Sequence, residues 1–249
     1  MEIVSLHPLD KAIVERYVSA LGGSPPAAAW SGWFSESLRQ DVQSAKAGNE
    51  GAANRITLNL ARALGQAGPV FTYSAFGLSF WEAQVDRPIG MLMRPPSRLF
   101  VEAGFDPTAA RTMPIRLDLQ HGMMGGAYIP ARLIEQAWGL LQEHMERSVK
   151  RLAEAEYDPV ASFGLMYEAI GYARERGLGL YEAIDVIGPD GQGGAGMAVV
   201  RPDRKRLDRE LANQIAEFLK PPKKPGLMSR IFGRGGGATT TSNGQHPEN

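Results

Sequence analysis

Asp118 and His121 lie three positions apart beside a glycine-rich turn, and their types and spacing suit acid–base chemistry. A carboxylate that orients an imidazole forms a general base, and the same two groups also serve as metal ligands. No HExxH sequence or other metal-ligand spacing surrounds the pair. Asp118 and His121 are therefore candidate catalytic residues, against the competing interpretation of a solvated turn, and we expect neither a metal site nor a cofactor.

Four arginines lie before and within the strand that carries Asp118, in a region rich in glycine and proline: Arg94, Arg98, Arg111 and Arg116. Guanidinium groups recognise carboxylate and phosphate through paired hydrogen bonds. If the loops that carry these arginines converge, the four side chains form an anion-binding pocket. The competing interpretation is that they pair with acidic residues close in sequence, such as Glu102.

The C-terminal region carries a third candidate site. The segment 223–234 combines four basic with four apolar residues, namely Lys223, Lys224, Arg230 and Arg234 with Leu227, Met228, Ile231 and Phe232. The four apolar residues fall on one face of a short helix, which suits docking on a protein groove or a peripheral membrane contact. An inert tail is the competing interpretation, because isolated helices of this length are marginal.

A glycine-rich stretch, Gly191–Gly196, matches the pattern G-x-G-x-x-G. A dinucleotide site needs a helix to begin at the last glycine, so that the helix N-terminus meets the pyrophosphate. Here the following residues, 197–200, have the character of a strand. We therefore interpret Gly191–Gly196 as a flexible hairpin loop.

The composition narrows the function classes. The chain of 249 residues has 27 basic and 27 acidic residues, and this balance gives no reason to expect a nucleic-acid partner. It has no cysteine, which excludes disulfides and a cysteine nucleophile. No basic start is followed by an apolar run, and no apolar run approaches a membrane span, so we expect a cytoplasmic protein.

The elements that must position these residues are clearest around the Asp118 region. Residues 114–120 alternate apolar and polar side chains, which predicts a half-buried strand, and residues 127–129 can return as its partner. One long amphipathic helix is predicted over 131–156, with its seam at Ile134, Trp138, Leu141, Met145, Ser148 and Leu152. Another helix of this chain or a second copy would cover that seam, so a homo-oligomer is possible.

The remaining pattern predicts helices over 8–21, 27–46, 52–64, 160–176 and 203–220, and strands over 70–81, 89–93, 180–187 and 197–200. Strands come as hairpins or short runs, which favours an α+β fold with a small, mostly antiparallel sheet packed by several helices. We expect one globular domain over 1–220, with a helical N-terminal region at residues 1–50. Residues 221–249 should form a disordered basic and glycine-rich tail.

Two functions remain open from the sequence. The first is a non-catalytic cytoplasmic interaction or scaffold protein, with unknown protein partners and a flexible docking segment at 223–234. The alternative is an enzyme or a small-anion-binding protein that uses the arginine cluster together with Asp118 and His121.

Overall fold

The computed structural model describes residues 3–113, 116–118, 123–188, 190–202 and 207–220, with the backbone alone at 116–118 and 123–125. Residues Met1–Leu219 form one compact unit. The predicted tail 221–249, with its docking segment 223–234, lies outside the described residues. Among the residues that are described, none of the helices has the length and apolar character needed to cross a membrane.

The strands form two sheets. Their bounds are β1 (Val4–Leu9), β2 (Pro69–Thr72), β3 (Arg116–Asp118), β4 (Met123–Gly125), β5 (Tyr128–Ile129), β6 (Gly179–Ile184) and β7 (Ala198–Val200). The larger sheet has the order β5–β6–β1–β2–β7, and β3 pairs with β4 separately. In the larger sheet β1 pairs antiparallel with β2 and β6, and β5 pairs antiparallel with β6, whereas β7 runs parallel to β2. The predicted α+β class is confirmed, with a sheet that is mixed rather than purely antiparallel.

Helices cover both faces of the larger sheet. Their bounds are α1 (Lys11–Leu21), α2 (Glu36–Lys46), α3 (Glu50–Ala67), α4 (Leu78–Phe80), a π-helix (Trp81–Val85), α5 (Arg87–Gly90), α6 (Pro96–Glu102), α7 (Pro107–Ala110), α8 (Ala131–Glu143), α9 (Met145–Glu154), α10 (Pro159–Glu175) and α11 (Arg209–Phe218). One core lies between the sheet and the layer that contains α1, α2 and α3. The second core lies on the opposite face, under α8, α9, α10 and α11.

Strand β1 is the middle strand of the sheet, and the sequence pattern did not predict it. Its side chains alternate, so that Leu6 enters the core under α10 while Leu9 enters the core under α3. The helix predicted over 8–21 begins only at Lys11, after the Asp10 side chain accepts a hydrogen bond from Ala12 N at 2.8 Å. The N-terminal region that was predicted to be helical thus also supplies the central strand.

Two predicted strands are shorter than expected or absent, and each range contains a helical segment. The strand expected over 70–81 ends at Thr72, and α4 and the π-helix follow it. No strand forms over 89–93, where α5 ends at Gly90 and a turn follows it. Pro88 lies at the beginning of α5, where its fixed φ suits a first helical turn and its missing N–H costs no hydrogen bond.

The predicted hairpin around Asp118 has a different partner from the one expected. Strand β3 pairs with β4, whereas Tyr128 and Ile129 leave the hairpin and pair with β6 in the larger sheet. Gly126 lies between β4 and β5 and has a φ of 79°, a backbone conformation that residues other than glycine rarely adopt. This turn lets the chain change sheets within two residues of β4.

The long helix expected over 131–156 is interrupted at His144, which separates α8 from α9. Its predicted seam is buried at Ile134, Leu141, Met145, Ser148 and Leu152, and Trp138 is half-buried. Helix α10 packs on both halves of the seam, so this chain covers it. The seam of α8 and α9 is therefore not exposed for contact with a second copy of the chain. Self-association through another surface stays a prediction.

Candidate functional site

The side chains of Asp118 and Arg116, and the whole of His121, lie outside the described residues of the chain. The backbone places Asp118 at the end of β3, paired with Met123 of β4. The predicted acid–imidazole pair therefore stays a prediction.

The other three arginines of the predicted cluster differ in the groups that they contact. One guanidinium nitrogen of Arg94 donates to the carbonyl oxygens of Met91 and Met93, at 3.0 and 2.7 Å. Arg98 Nε donates to Glu102 at 2.8 Å, one helical turn away. Arg111 forms no ion pair with any described residue. Of these three side chains, that of Arg111 has the most freedom to meet a ligand.

Arg98 and Arg111 line one surface groove of about 620 Å³ between α6 and α7. The remaining lining residues are Ser97, Val101, Glu102, Pro107, Thr108 and Ala110. The floor is mainly apolar, and Val101 leaves 42% of its surface exposed. Two guanidinium groups against one carboxylate leave the groove with a net positive charge of one, which favours an anionic group beside an apolar one.

A second site lies where the π-helix meets the break between α8 and α9. Asp86, directly after the π-helix, is fully buried and accepts hydrogen bonds from His144 Nδ1 at 2.8 Å and from Arg147. Arg151 donates to the Val85 carbonyl oxygen at 2.6 Å. Burying a carboxylate is unfavourable unless it is paired, so these contacts explain why Asp86 lies at this junction.

The outer side of this junction is an open groove of about 480 Å³. Three acidic and three basic residues of α8 and α9 line it: Glu143, Glu146, Arg147, Lys150, Arg151 and Glu154. His144 directly follows Glu143, a lining residue of this groove, and its side chain is 16% exposed. The local sequence gives no sign of the Asp86–His144 contact, since 58 residues separate the two partners.

A third polar group lies entirely inside the protein, on β1. His7 Nε2 and Ser5 Oγ are 2.9 Å apart, and Ser5 Oγ donates to the Ala183 carbonyl oxygen. His7 Nδ1 is buried and has no hydrogen-bond partner among the described residues. Burial lowers the pKa of His7 from 6.5 to about 3, which keeps the imidazole neutral.

Glu182 of β6 is the buried acid on the opposite face of the same strand pair. It accepts hydrogen bonds from Ser79 N, at 3.0 Å, and from Ser79 Oγ at the beginning of α4. Burial raises the pKa of Glu182 from 4.5 to about 7, and the bonds from Ser79 and from the Leu78 backbone oppose that rise. A side chain on Gly77 would lie 2.4 Å from Glu182 Oε2, so glycine is required there.

Within the segments of the chain that are described, no three acidic or histidine side chains converge in a way that could hold a metal ion. The glycine loop before β7 leads into a strand, as its sequence indicated. Comparisons of the chain with protein-family models, with curated proteins and with solved structures give no match.

Proposed function

We propose that the protein is a non-catalytic cytoplasmic binding protein, and that the groove between α6 and α7 receives an acidic segment of a partner protein. The observation that carries this proposal is Arg111, whose guanidinium has no ion-pair partner among the described residues and borders an apolar floor. An occupant with a carboxylate next to an aliphatic side chain satisfies both features.

The shape of the groove supports a protein segment over a small molecule. Small-molecule sites enclose most of their ligand, whereas this groove lies on the surface and leaves Val101 partly exposed to solvent. Glu102 lies in the same groove and already pairs with Arg98. The occupant must therefore place its carboxylate at Arg111 and keep its other acidic groups away from Glu102.

The test measures binding of fluorescent peptides that combine leucine with glutamate, with octanoate as the small-molecule arm. Arg111→Glu should weaken peptide binding about tenfold or more, because a charge-assisted hydrogen bond is replaced by repulsion. Val101→Asp should weaken binding to a similar extent, because it places a charge on the apolar floor of the groove. Arg16→Glu, on the exposed side of α1, is the matched control with the same change of charge. If Arg111→Glu binds the peptide with unchanged affinity, the proposal is rejected. If octanoate displaces the peptide, the groove is a site for small carboxylates.

The C-terminal segment 223–234 supports a second binding function. Its four basic and four apolar residues are grouped where a linker sequence would disperse them. On an anionic membrane each lysine or arginine adds about 1 kcal/mol, and burial of Ile231 and Phe232 adds to this. Full-length protein should therefore co-sediment with vesicles of anionic lipid, less so at high salt or with Ile231→Asp, and a chain that ends at Lys220 should not. Equal sedimentation of both chains at low salt would show an inert tail.

Two further points remain proposals. The cytoplasmic location is tested by fractionation of cells that express the full-length chain. An enzymatic role for Asp118 and His121 is the alternative function, and their substitution by Asn and Gln tests it once a substrate class has been found.

A further inference from the structure

Two helical irregularities meet at Asp86. The π-helix Trp81–Val85 ends there, and the break between α8 and α9 lies opposite it at His144. π-Helical turns are rare and often occur at functional sites. The contacts of Asp86 with His144 and Arg147 connect the two irregular points.

The hydrogen bond to Asp86 determines what His144 presents to the groove. A carboxylate can only accept a hydrogen bond, so in the contact with Asp86 the Nδ1–H of His144 donates, and a neutral ring in that tautomer carries its lone pair on Nε2. Glu143 Oε1 lies 3.9 Å from Nε2, beyond hydrogen-bond distance, and no other described residue bonds to it. His144 thus combines a buried orienting carboxylate with an unused nucleophilic nitrogen, and that nitrogen lies 3.9 Å from Glu143, a lining residue of the groove.

The groove holds cations suited to a phosphoryl group. Arg147 and Lys150 are about half exposed, and Arg151 is fixed by its bond to the Val85 carbonyl. Lys150 also pairs with Glu146, so an incoming phosphoryl group competes with one exposed carboxylate for it. Exposed pairs of this type are weak, which makes the exchange of partners possible.

We propose that His144 accepts a phosphoryl group on Nε2 from a small donor of the phosphoramidate or acyl phosphate class. With zwitterionic phosphoramidate, the Nε2 lone pair attacks phosphorus and the P–N bond breaks. Ammonia leaves with the electron pair of that bond, and the proton on Nδ1 stays shared with Asp86. The ring becomes cationic, and the adjacent Asp86 carboxylate stabilises that charge.

A general base would use the same nitrogen, but the two roles leave different products. Phosphoryl transfer leaves a covalent, acid-labile group on the ring, whereas a general base leaves the ring unchanged. This site is independent of the groove between α6 and α7, since the two grooves share no lining residue.

The experiment incubates the full-length protein with phosphoramidate and follows phosphorylation by phosphorus NMR and by peptide-resolved mass spectrometry. NMR distinguishes attachment at Nε2 from attachment at Nδ1. We expect attachment at Nε2 of His144, about tenfold faster than for N-acetylhistidine, which is the gain that one charge-assisted hydrogen bond provides. Asp86→Asn should remove most of that gain, and His144→Gln should abolish the signal. Glu175→Gln, an exposed acidic residue that does not line this groove, is the matched control and should react at the rate of the unchanged protein.

Three results would overturn the proposal: a rate equal to that of N-acetylhistidine, attachment at Nδ1, or an unchanged rate in a folded Asp86→Asn variant. The comparison of the unchanged protein with N-acetylhistidine holds even if the Asp86 variant fails to fold.

Discussion

His7 and His144 each bond through one ring nitrogen to a side chain, yet their surroundings give them different roles. His7 lies on β1 between two layers of secondary structure, with no exposed surface and a neutral hydroxyl as its partner. His144 lies at a helix break, partly exposed, with a buried carboxylate as its partner. The same side chain thus belongs to the packed interior in one region and is available to solvent in the other. Burial and the charge of the partner decide between structure and chemistry, and the residue type does not.

The largest effect on stability is expected at Glu182, the buried acid on the opposite face of the β1–β6 pair from His7. Glu182→Ala removes an acceptor from the Ser79 backbone and hydroxyl and leaves these groups buried without it. We expect a loss of about 2–4 kcal/mol in the free energy of unfolding, measured by urea denaturation, because each buried donor that loses its acceptor costs about 1–3 kcal/mol. Glu175→Ala, whose partner Arg176 lies on the surface, is the control and should cost less than about 0.5 kcal/mol.

The pH dependence of stability separates the two buried groups of the strand pair. The pKa of Glu182 is raised by burial, so between pH 4.5 and about 7 the folded state holds a proton that the unfolded state lacks, and stability falls as pH rises. The pKa of His7 is lowered by burial, so between pH 3 and 6.5 the unfolded state holds the extra proton, and stability rises with pH. The two slopes oppose each other between pH 4.5 and 6.5.

Single substitutions should therefore reveal one slope at a time. Relative to the unchanged protein, Glu182→Gln should gain stability as pH rises from 4.5 to 6.5, and His7→Gln should lose it. Each slope should be on the order of 1 kcal/mol per pH unit. Urea unfolding at a series of pH values measures both, and parallel profiles for all three proteins would show that neither group is perturbed by burial.

A smaller effect is expected at the junction of His144. Asp86→Ala removes a buried carboxylate, but His144 and Arg147 both keep access to water. The unfolding free energy should fall by about 1–3 kcal/mol, less than for Glu182→Ala. Glu146→Ala in the same groove is the control, since its pair with Lys150 is exposed on both sides. A larger loss for Asp86→Ala than for Glu182→Ala would reverse the comparison.

The sequence predicted the features that depend on local periodicity. The apolar positions of the helix predicted over 160–176 recur at helical spacing, and α10 begins at Pro159 after Asp158, whose side chain accepts from Val160 N at 3.0 Å. The buried seam residues of α8 and α9, such as Ile134 and Leu141, also follow from spacing alone.

The rest depends on contacts that are distant in the chain. Strand β1 contains Pro8, a residue that is rare in central strands, and it pairs with β6, whose residues lie 170 to 180 positions later in the chain. The break at His144 has no glycine or proline to mark it, and the Asp86 contact across 58 residues fixes it in place. The sequence places Arg94 with Arg98, Arg111 and Arg116 in one candidate anion site. Only the folded chain shows that the guanidinium of Arg94 instead donates to the backbone carbonyls of Met91 and Met93.

The contrast between the two histidines is tested most directly by their reaction with diethyl pyrocarbonate, which acylates accessible neutral imidazole nitrogens. Folded full-length protein is treated near neutral pH, and peptide-resolved mass spectrometry reports each site, with urea-unfolded protein as the control in which both should react. The structure predicts that His144 reacts in the folded state and that His7 does not. Modification of His7 at a rate equal to that of His144, without unfolding, would contradict this account.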